Sequence, residues 1–238
     1  NEIITKSRRR TFAAPEKFSR KLRSYCRENK TSPFPLFMSA LSMYIYRVSS
    51  KEEIIIGTPI LNRSNKREKN TVGMYINTAP MRISFNPNDN FKTFSENIAR
   101  ESMSLFRHQK YPYDLLLKEV RNKFHITDNL YDIVLSYQNS KLELDTNGEQ
   151  YWTRWHFNEH QTNSLTININ EREGEGKLII DYDFHEGLYY PKEIEFIHRH
   201  LLSLLWHALD NPARPICRVE MLPEAEKRRI LYEFNNTE

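Results

Sequence analysis

Paired histidines are the first place to look for chemistry in this sequence, because an imidazole is neutral near physiological pH and can bind a metal or move a proton. His156 and His160 flank Phe157-Asn158-Glu159, an i, i+4 spacing that on a helix puts both rings on one face. The neighbouring run Tyr151-Trp152-Thr153-Arg154-Trp155 is not a helical pattern and no third ligand follows, so the pair does not make a zinc site. His198 and His200 lie two apart in a helical stretch and point different ways, which reads as two surface positions. Cys26 and Cys217 form no CxxC pattern, and no GxSxG surrounds a serine. Spacing alone assigns neither a catalytic centre nor a metal.

Three segments differ from ordinary core. Gly57-Thr58-Pro59-Ile60-Leu61-Asn62-Arg63 places a glycine, a hydroxyl and a guanidinium at a strand end, where backbone N–H groups and side chains face a ligand or simply build a turn. Val72-Gly73-Met74-Tyr75-Ile76-Asn77-Thr78-Ala79-Pro80-Met81-Arg82 sets an amide and a hydroxyl between apolar residues, where burial demands hydrogen-bond partners. His108-Gln109-Lys110-Tyr111-Pro112-Tyr113-Asp114 joins two helices, and Asp114 in the first turn of the second suits the helix dipole.

The elements that must position these segments follow from periodicity. Phe18, Leu22 and Cys26 at spacing four predict an amphipathic helix from Pro15, and Thr31 or Ser32 caps a second, Phe34 to Val48, that is apolar on several sides. Ile54-Ile55-Ile56 reads as a buried strand closed by Gly57-Thr58-Pro59, and a basic loop runs from Asn62 to Asn70. Tyr75-Ile76 and Met81-Arg82-Ile83 read as two strand pieces interrupted at Pro80. Asp89 or Asn90 caps a helix carrying Phe91, Phe94, Ile98 and Leu105, and a further helix spans Tyr113 to Phe124. Asp132 to Tyr137 is a strand, the chain from Leu142 to Phe157 is aromatic and irregular, and Leu165–Asn170 with Lys177–Phe184 around a Glu173–Gly176 turn form a hairpin. Pro191 opens a long helix striped by Ile194, Ile197, Leu201, Leu204, Leu205 and Leu209, after which an extended piece, Ile216 to Leu222, precedes a helix start at Pro223.

This mixed order of elements favours a layered α/β domain. The chain has 238 residues, 39% of them hydrophobic and 28% charged, and only six glycines, which excludes collagen-like and Gly-linker character. No apolar run reaches the roughly 20 residues of a membrane span, and mean hydropathy is −0.72. The net charge of +4 mildly favours acidic partners and is too small to argue for nucleic acid. Two distant cysteines and no signal peptide point to reduced thiols and a cytoplasmic location. Asn1 to Arg10 lacks an initiator Met and runs into Lys6, Arg8, Arg9 and Arg10, so it reads as the start of a fragment of a longer protein.

In this order, the three segments resemble the condensation domains of nonribosomal peptide synthetases, specifically the C-terminal lobe of that two-lobed fold. Gly57 to Arg63 matches the family's Gly-Thr-Pro…Arg strand end, and Val72 to Arg82 matches (I/V)GxFVNTxxxR with Tyr75 for Phe and Ile76 for Val. His108 to Asp114 matches (H/N)QxxPF(E/D) with Tyr113 for Phe, and Asn129 to Asn139 is similar to the family's pLFdv…yqN strand. Leu222 to Thr237 is similar to the connector into an adenylation domain, with Phe234 where Trp is common. The family's active-site motif, HHxxxDG, lies in the other lobe, and this sequence contains no His-His pair.

The resemblance implies a chloramphenicol-acetyltransferase-like (CoA-dependent acyltransferase) α/β lobe with a mixed sheet packed with helices, over residues 1–221, and the start of a linker over 222–238. It implies that the intact domain joins a donor thioester to an acceptor amine, both presented on phosphopantetheine arms of peptidyl carrier proteins, and that this chain holds no cofactor itself and forms no peptide bond alone. The lobe would supply one tunnel wall, a floor segment after Asn139 and a latch near the Leu165–Phe184 hairpin. Thr58, Arg63, Asn77, Thr78, Arg82, His108, Asp114, Gln138 and Asn139 are the expected tunnel-lining or architectural residues. Tyr151, Trp152 and Trp155 are expected at the lobe interface, and Arg8, Arg9, Arg10, Arg20, Arg23, Lys66 and Arg67 are candidates for docking an acidic carrier. The expected partners are the N-terminal lobe, carrier domains and a downstream adenylation domain, with neither nucleic acid nor membrane. Two other readings stand beside it: a non-catalytic interaction module or epimerization-type lobe, and a free-standing acyltransferase with His108 or His156 as base.

Overall fold

Successive side chains of a strand point to opposite faces, and here that alternation sorts apolar from polar residues across several neighbouring strands. The computed structural model describes residues 5–138, 155–171 and 177–234. Its strands β1 (Thr5–Ala13), β2 (Glu53–Ile60), β3 (Asn77–Ser84), β4 (Ile133–Gln138), β5 (His160–Gln161), β6 (Leu165–Asn170) and β7 (Ile179–His185) form one sheet in the order β3-β2-β4-β6-β7-β1-β5. Strands β2, β4 and β6 run parallel, while β6–β7, β7–β1 and β1–β5 are antiparallel. The helices are α1 (Glu16–Glu28), α2 (Pro33–Ser49), α3 (Lys66–Lys69), α4 (Phe91–Arg107), α5 (Tyr113–Phe124), α6 (Pro191–Asp210) and α7 (Glu224–Arg228). The chain divides into two units, Asn1–Ala14 with Ile55–Ile83 and Ala99–Leu188, and Pro15–Ile54 with Ser84–Ile98 and Tyr189–Glu238. Among the described residues no helix is long and apolar enough to cross a membrane.

In the first unit, Leu135, Ile167 and Tyr182 stand in register on one sheet face with Ile169 and Ile180, all buried. One residue along, the register pairs Ser136 with Asn168, Asn168 with Asp181, and Asp181 with Thr11. This second face is polar, and its buried carboxylates are satisfied from the neighbouring strands. Arg9 grips Asp183 through two hydrogen bonds of 2.6 and 2.8 Å, Asn168 adds a third of 3.0 Å, and Thr11 donates to Asp181 at 2.6 Å. Burial pushes the Asp183 carboxyl upward, and the Arg9 guanidinium opposes that. The basic run Lys6–Arg10 thus belongs to a strand, which periodicity does not reveal because Arg9 turns inward to a carboxylate.

Two strand expectations and one loop expectation change. Strand β2 runs through Gly57-Thr58-Pro59 to Ile60 instead of closing there. Strand β3 carries Pro80 within it at the edge of the sheet, where proline is tolerated, and it starts only at Asn77, so the expected piece at Tyr75-Ile76 lies in no strand. The basic loop contains the short helix α3, whose cap Asn65 accepts from Glu68 N at 2.9 Å. The Leu165–Asn170 and Lys177–Phe184 strands pair as expected, while the Glu173–Gly176 turn and the segment 139–154 lie outside the described residues.

In the second unit α2 buries Leu36, Met38, Ala40, Leu41 and Met43 on several sides, and Ser39 and Ser42 satisfy their buried hydroxyls on the Pro35 and Met38 carbonyls at 2.7 and 2.8 Å. Helix α1 buries Phe18, Leu22 and Cys26 as its period requires, and α6 buries its whole expected stripe. Lys21 stands 3.8 Å over the Trp206 ring and pairs with Asp210, joining α1 to α6. Ser32 sits at the α2 N-cap without a side-chain bond, and Pro33 at the first turn removes one orphan N–H instead. Asn90 does cap α4, accepting from Thr93 N at 2.9 Å. The stretch after Pro215 is a 3-10 turn, Ile216–Arg218, not an extended piece.

His198 and His200 are both buried, against expectation. They project about 200° apart on α6, so the helix is covered on more than its leucine stripe. His200 Nε2 lies 3.1 Å from the Glu226 carboxylate of α7, which accepts its proton in a hydrogen bond, and the ring contacts those of Tyr44 and Phe196. Burial holds the His198 imidazole down to about 4 from its ordinary 6.5. Between those values the unfolded chain binds a proton that the folded chain refuses, so stability falls as pH falls through this window. Urea denaturation of His198→Leu should show a shallower loss of stability between pH 6.5 and 4 than the unsubstituted chain.

Candidate functional site

Gly57 is where the three distinctive segments and the Asn129–Asn139 segment begin to meet. A Cβ built at this position would lie 2.6 Å from Cε2 of Tyr131 and 3.0 Å from Val134, so only glycine lets the ring lie against the β2 backbone. The Tyr131 ring in turn packs at 5.1 Å on Tyr113, and the Tyr113 hydroxyl accepts from Leu130 N at 3.2 Å. One stack therefore ties β2, the approach to β4, and the first turn of α5 together.

Asn77 completes the corner from the other side. Its carboxamide donates to the Tyr111 carbonyl at 3.1 Å and more weakly to that of Gln109 at 3.4 Å, fixing the α4–α5 connection on the first residue of β3. The next link is Lys110, which donates to the Asn62 carbonyl at 2.9 Å and to Glu68 at 2.8 Å. Lys110 and two hydrogen bonds from Ser64 hold the Glu68 carboxyl down to about 2. Tyr111 donates to Glu119, and that bond raises its hydroxyl above the ordinary range.

Between β3 and these connections lies a groove of about 490 Å³, walled by Ala79, Pro80, Leu105 and Leu116 and carrying Asn77, Thr78, Arg107, His108, Gln109 and Lys110. Amides, a hydroxyl, an imidazole and cationic ends around an apolar wall can bind and orient a chain that mixes apolar and amide groups. Asn77, Thr78 and His108 are the expected residues that it gathers. Thr58 is buried on the side of β2 shared with Ile56 and Ile60, Arg82 lies on the exposed side of β3, and Asp114 is exposed in the first turn of α5. Gln138 donates to Ser136 at 3.1 Å on the polar sheet face, and Asn139 lies outside the described residues. Arg63 donates to the Glu68, Thr71 and Gly73 carbonyls, the last two at 2.7 and 2.8 Å, and stands 4.2 Å over the Tyr75 ring.

Of the other expected residues, Arg8 pairs with Glu186 and Arg9 with Asp183, and Arg10 stands 5.7 Å over the Phe12 ring. Arg20, Lys66 and Arg67 are exposed, Arg23 is half-buried, Trp155 is exposed, and Tyr151 and Trp152 lie outside the described residues. His160 sits in β5 with Nδ1 3.0 Å from the Asn158 carbonyl. Lys110, Glu68 and Tyr131 were not singled out by sequence reasoning. A lysine between two motif positions and an acid in a basic loop were the available signals, and neither names its partner.

A family model described as "Condensation domain" matches residues 4–231. Among curated relatives, a plipastatin synthase protein of Bacillus subtilis (strain 168) is 34% identical over 98% of this chain and 9% of its own length. Surfactin synthase subunit 1 of the same organism is 31% identical over 91% of the chain and 6% of its own length, so the chain spans a small part of either. Among solved structures, a four-domain nonribosomal peptide synthetase bound to AMP and glycine superposes with a TM-score of 0.76 at 16% identity, over 93% of this chain and 18% of its own. The first condensation domain of the CDA synthetase superposes with a TM-score of 0.73 at 14% identity, over 92% of this chain and 48% of its own. At these identities the structural likeness is one of fold.

Gly57→Ala should force the Tyr131 ring off β2 and cost about 1–3 kcal/mol, the usual scale of overpacking. Chemical denaturation measures it, and Tyr131→Ala in the same background should recover part of the loss by vacating the space.

Proposed function

The chain belongs to the condensation-domain family, and from that we propose that residues 1–221 are the C-terminal subdomain of a nonribosomal peptide synthetase condensation domain, with 222–238 leading toward an adenylation domain. The observation that carries this reading is coverage. The chain matches 92% of itself but only 48% of a solved condensation domain, so half of that fold lies outside it. The lack of any His-His pair agrees with a half that does not hold the family's HHxxxDG motif.

In the proposed reaction the acceptor amine nitrogen bonds to the donor thioester carbonyl, the C–S bond breaks, and the thiol leaves with a proton. A base must take a proton from the amine, and the family's candidate for that role is the second His of the motif this chain lacks. This chain's share is placement: holding two thioester-borne chains so that their reacting ends meet is worth several orders of magnitude in rate. We assign that share to the groove beside β3, with Asn77 fixing the His108–Tyr111 wall and Thr78 and His108 facing the substrate, as part of one tunnel wall. Thr58, Arg63, Arg82, Asp114, Gln138 and Asn139 are assigned architectural roles around it.

The partners proposed are the N-terminal subdomain, peptidyl carrier domains presenting phosphopantetheine thioesters, and a downstream adenylation domain. Arg8, Arg9 and Arg20 are paired within the chain, with Glu186, Asp183 and Glu16, which favours the exposed Lys66 and Arg67 as cations suited to an acidic carrier.

The test combines this chain with the complementary half and two loaded carriers and reads the condensed thioester by intact-protein mass spectrometry. Product is expected only in the combination, and Asn77→Ala should slow its formation about ten- to a hundredfold through loss of wall position. Product from this chain alone would overturn the assignment and point to His108 or His156.

A further inference from the structure

Strand β3 ends the sheet of described strands, and the groove of about 490 Å³ runs beside it. The groove touches Asn77, Thr78, Ala79 and Pro80 in succession. Neighbouring strand residues face opposite sides of a sheet, so a cavity that meets four in a row follows the edge of the strand and not one of its faces. A strand edge is where a further chain can pair, because its outer N–H and carbonyl groups point away from the sheet.

Hydrogen bonds at the far end of β3 fix which of its groups these are. Phe85 N donates to the Glu52 carbonyl at 2.7 Å and the Ser84 hydroxyl to the Glu53 carboxylate at 2.8 Å. The end of β3 therefore lies beside the start of β2, and the two strands run antiparallel. In such a pair a residue directs both of its backbone groups to one side and the next residue directs them to the other. Counted back from Phe85 in twos, Met81, Ala79 and Asn77 bond toward β2, while Thr78 and Pro80 face the groove. Proline then stands where the ladder needs no donor. The same count sets Met81 opposite Ile56, and both are buried. Along the groove the edge offers one donor, the Thr78 N–H, and two acceptors, the carbonyls of Thr78 and Pro80.

We propose that this edge takes the growing peptide of the donor as an added strand, held through its backbone by Thr78 and Pro80. The proposal deepens the placement role assigned to the groove above and rests on it. At about 3.3 Å per residue, the edge from Thr78 to Pro80 matches three residues of an extended ligand. The chemistry of the walls chooses a peptide over the bare carrier arm. Beyond the edge the groove is walled by Leu105 and Leu116; the arm has no side chains to lay against them, whereas an extended peptide does. Asn77, whose backbone faces β2, turns its carboxamide to the Gln109 and Tyr111 carbonyls. Edge and wall thus keep their spacing before the peptide arrives, which lowers the ordering cost of binding. A site that reads backbone also accepts donors of different sequence.

The test uses the natural polypeptide that carries this sequence and an unreactive probe, acetyl-leucyl-photoleucyl-leucine joined to pantetheine through an amide. Crosslinks mapped by mass spectrometry are expected within 77–80 or at 105 or 116. Each N–H of the probe is then replaced in turn by an ester oxygen, which alters the ligand and leaves the protein as it is. Affinity should fall roughly fivefold at alternate positions, the scale of one lost hydrogen bond, and stay unchanged at those between. Pantetheine without the peptide should compete at least tenfold less well. Crosslinks elsewhere, an ester effect at no position or at every position alike, or equal competition by pantetheine would each overturn strand addition. Turnover of the reactive tripeptidyl thioester in the same sample separates this from the reading beneath it. Product beside any of those results leaves the placement role standing, and product from residues 1–238 alone overturns both.

Discussion

The Tyr131 ring lies against the β2 backbone at a distance that only a missing side chain permits, and the candidate site depends on that approach. With the ring in place, Tyr113 has a surface to pack on, α5 starts where it does, and the connection from α4 passes close enough to β3 for Asn77 to reach two of its carbonyls. Lys110 then carries the linkage to Asn62 and Glu68. Each contact is worth little alone, about 1 kcal/mol for a neutral hydrogen bond. Their value lies in serial geometry, since each fixes the position from which the next is made.

The sheet supplies the frame. One face is apolar and buried across β4, β6 and β7; the other carries carboxylates that β1 and β6 satisfy with a guanidinium, a hydroxyl and two amides. Buried charge adds little net stability when paired and costs several kcal/mol when one partner is removed, so Arg9 and Asp183 enforce register more than they add strength. That is the property a frame needs if groups from distant parts of the chain are to meet within hydrogen-bond distance.

The helices were legible because burial writes a 3.6-residue period: Phe18, Leu22 and Cys26 in α1, and Ile194 through Leu209 in α6, are buried where their spacing put them. The β6 and β7 strands were legible from alternation. Strand β1 was not, because Arg9 and Arg10 look solvated until Asp183 and Phe12 are placed beside them. The continuation of β2 through Gly57 was missed for a related reason. Glycine and proline mark turns locally, but here the glycine serves a ring 74 positions later in sequence. His198 and His200 were misplaced because burial on a second helix side has no signature in a single stripe. Around the groove, Asn77 and His108 were named from motif positions in the sequence, whereas Lys110 and Glu68 depend on long-range pairing that no local pattern encodes.

The segments around Gly57, Asn77, His108–Tyr113 and Tyr131 form one cooperative corner. Native-state hydrogen exchange on Gly57→Ala tests it most directly. Amide protection is expected to fall together over 57–60, 77–80, 108–116 and 130–134, with α2 and α6 unchanged. Loss confined to residues next to 57 and 131, with 77–80 and 108–116 as protected as before, would contradict it.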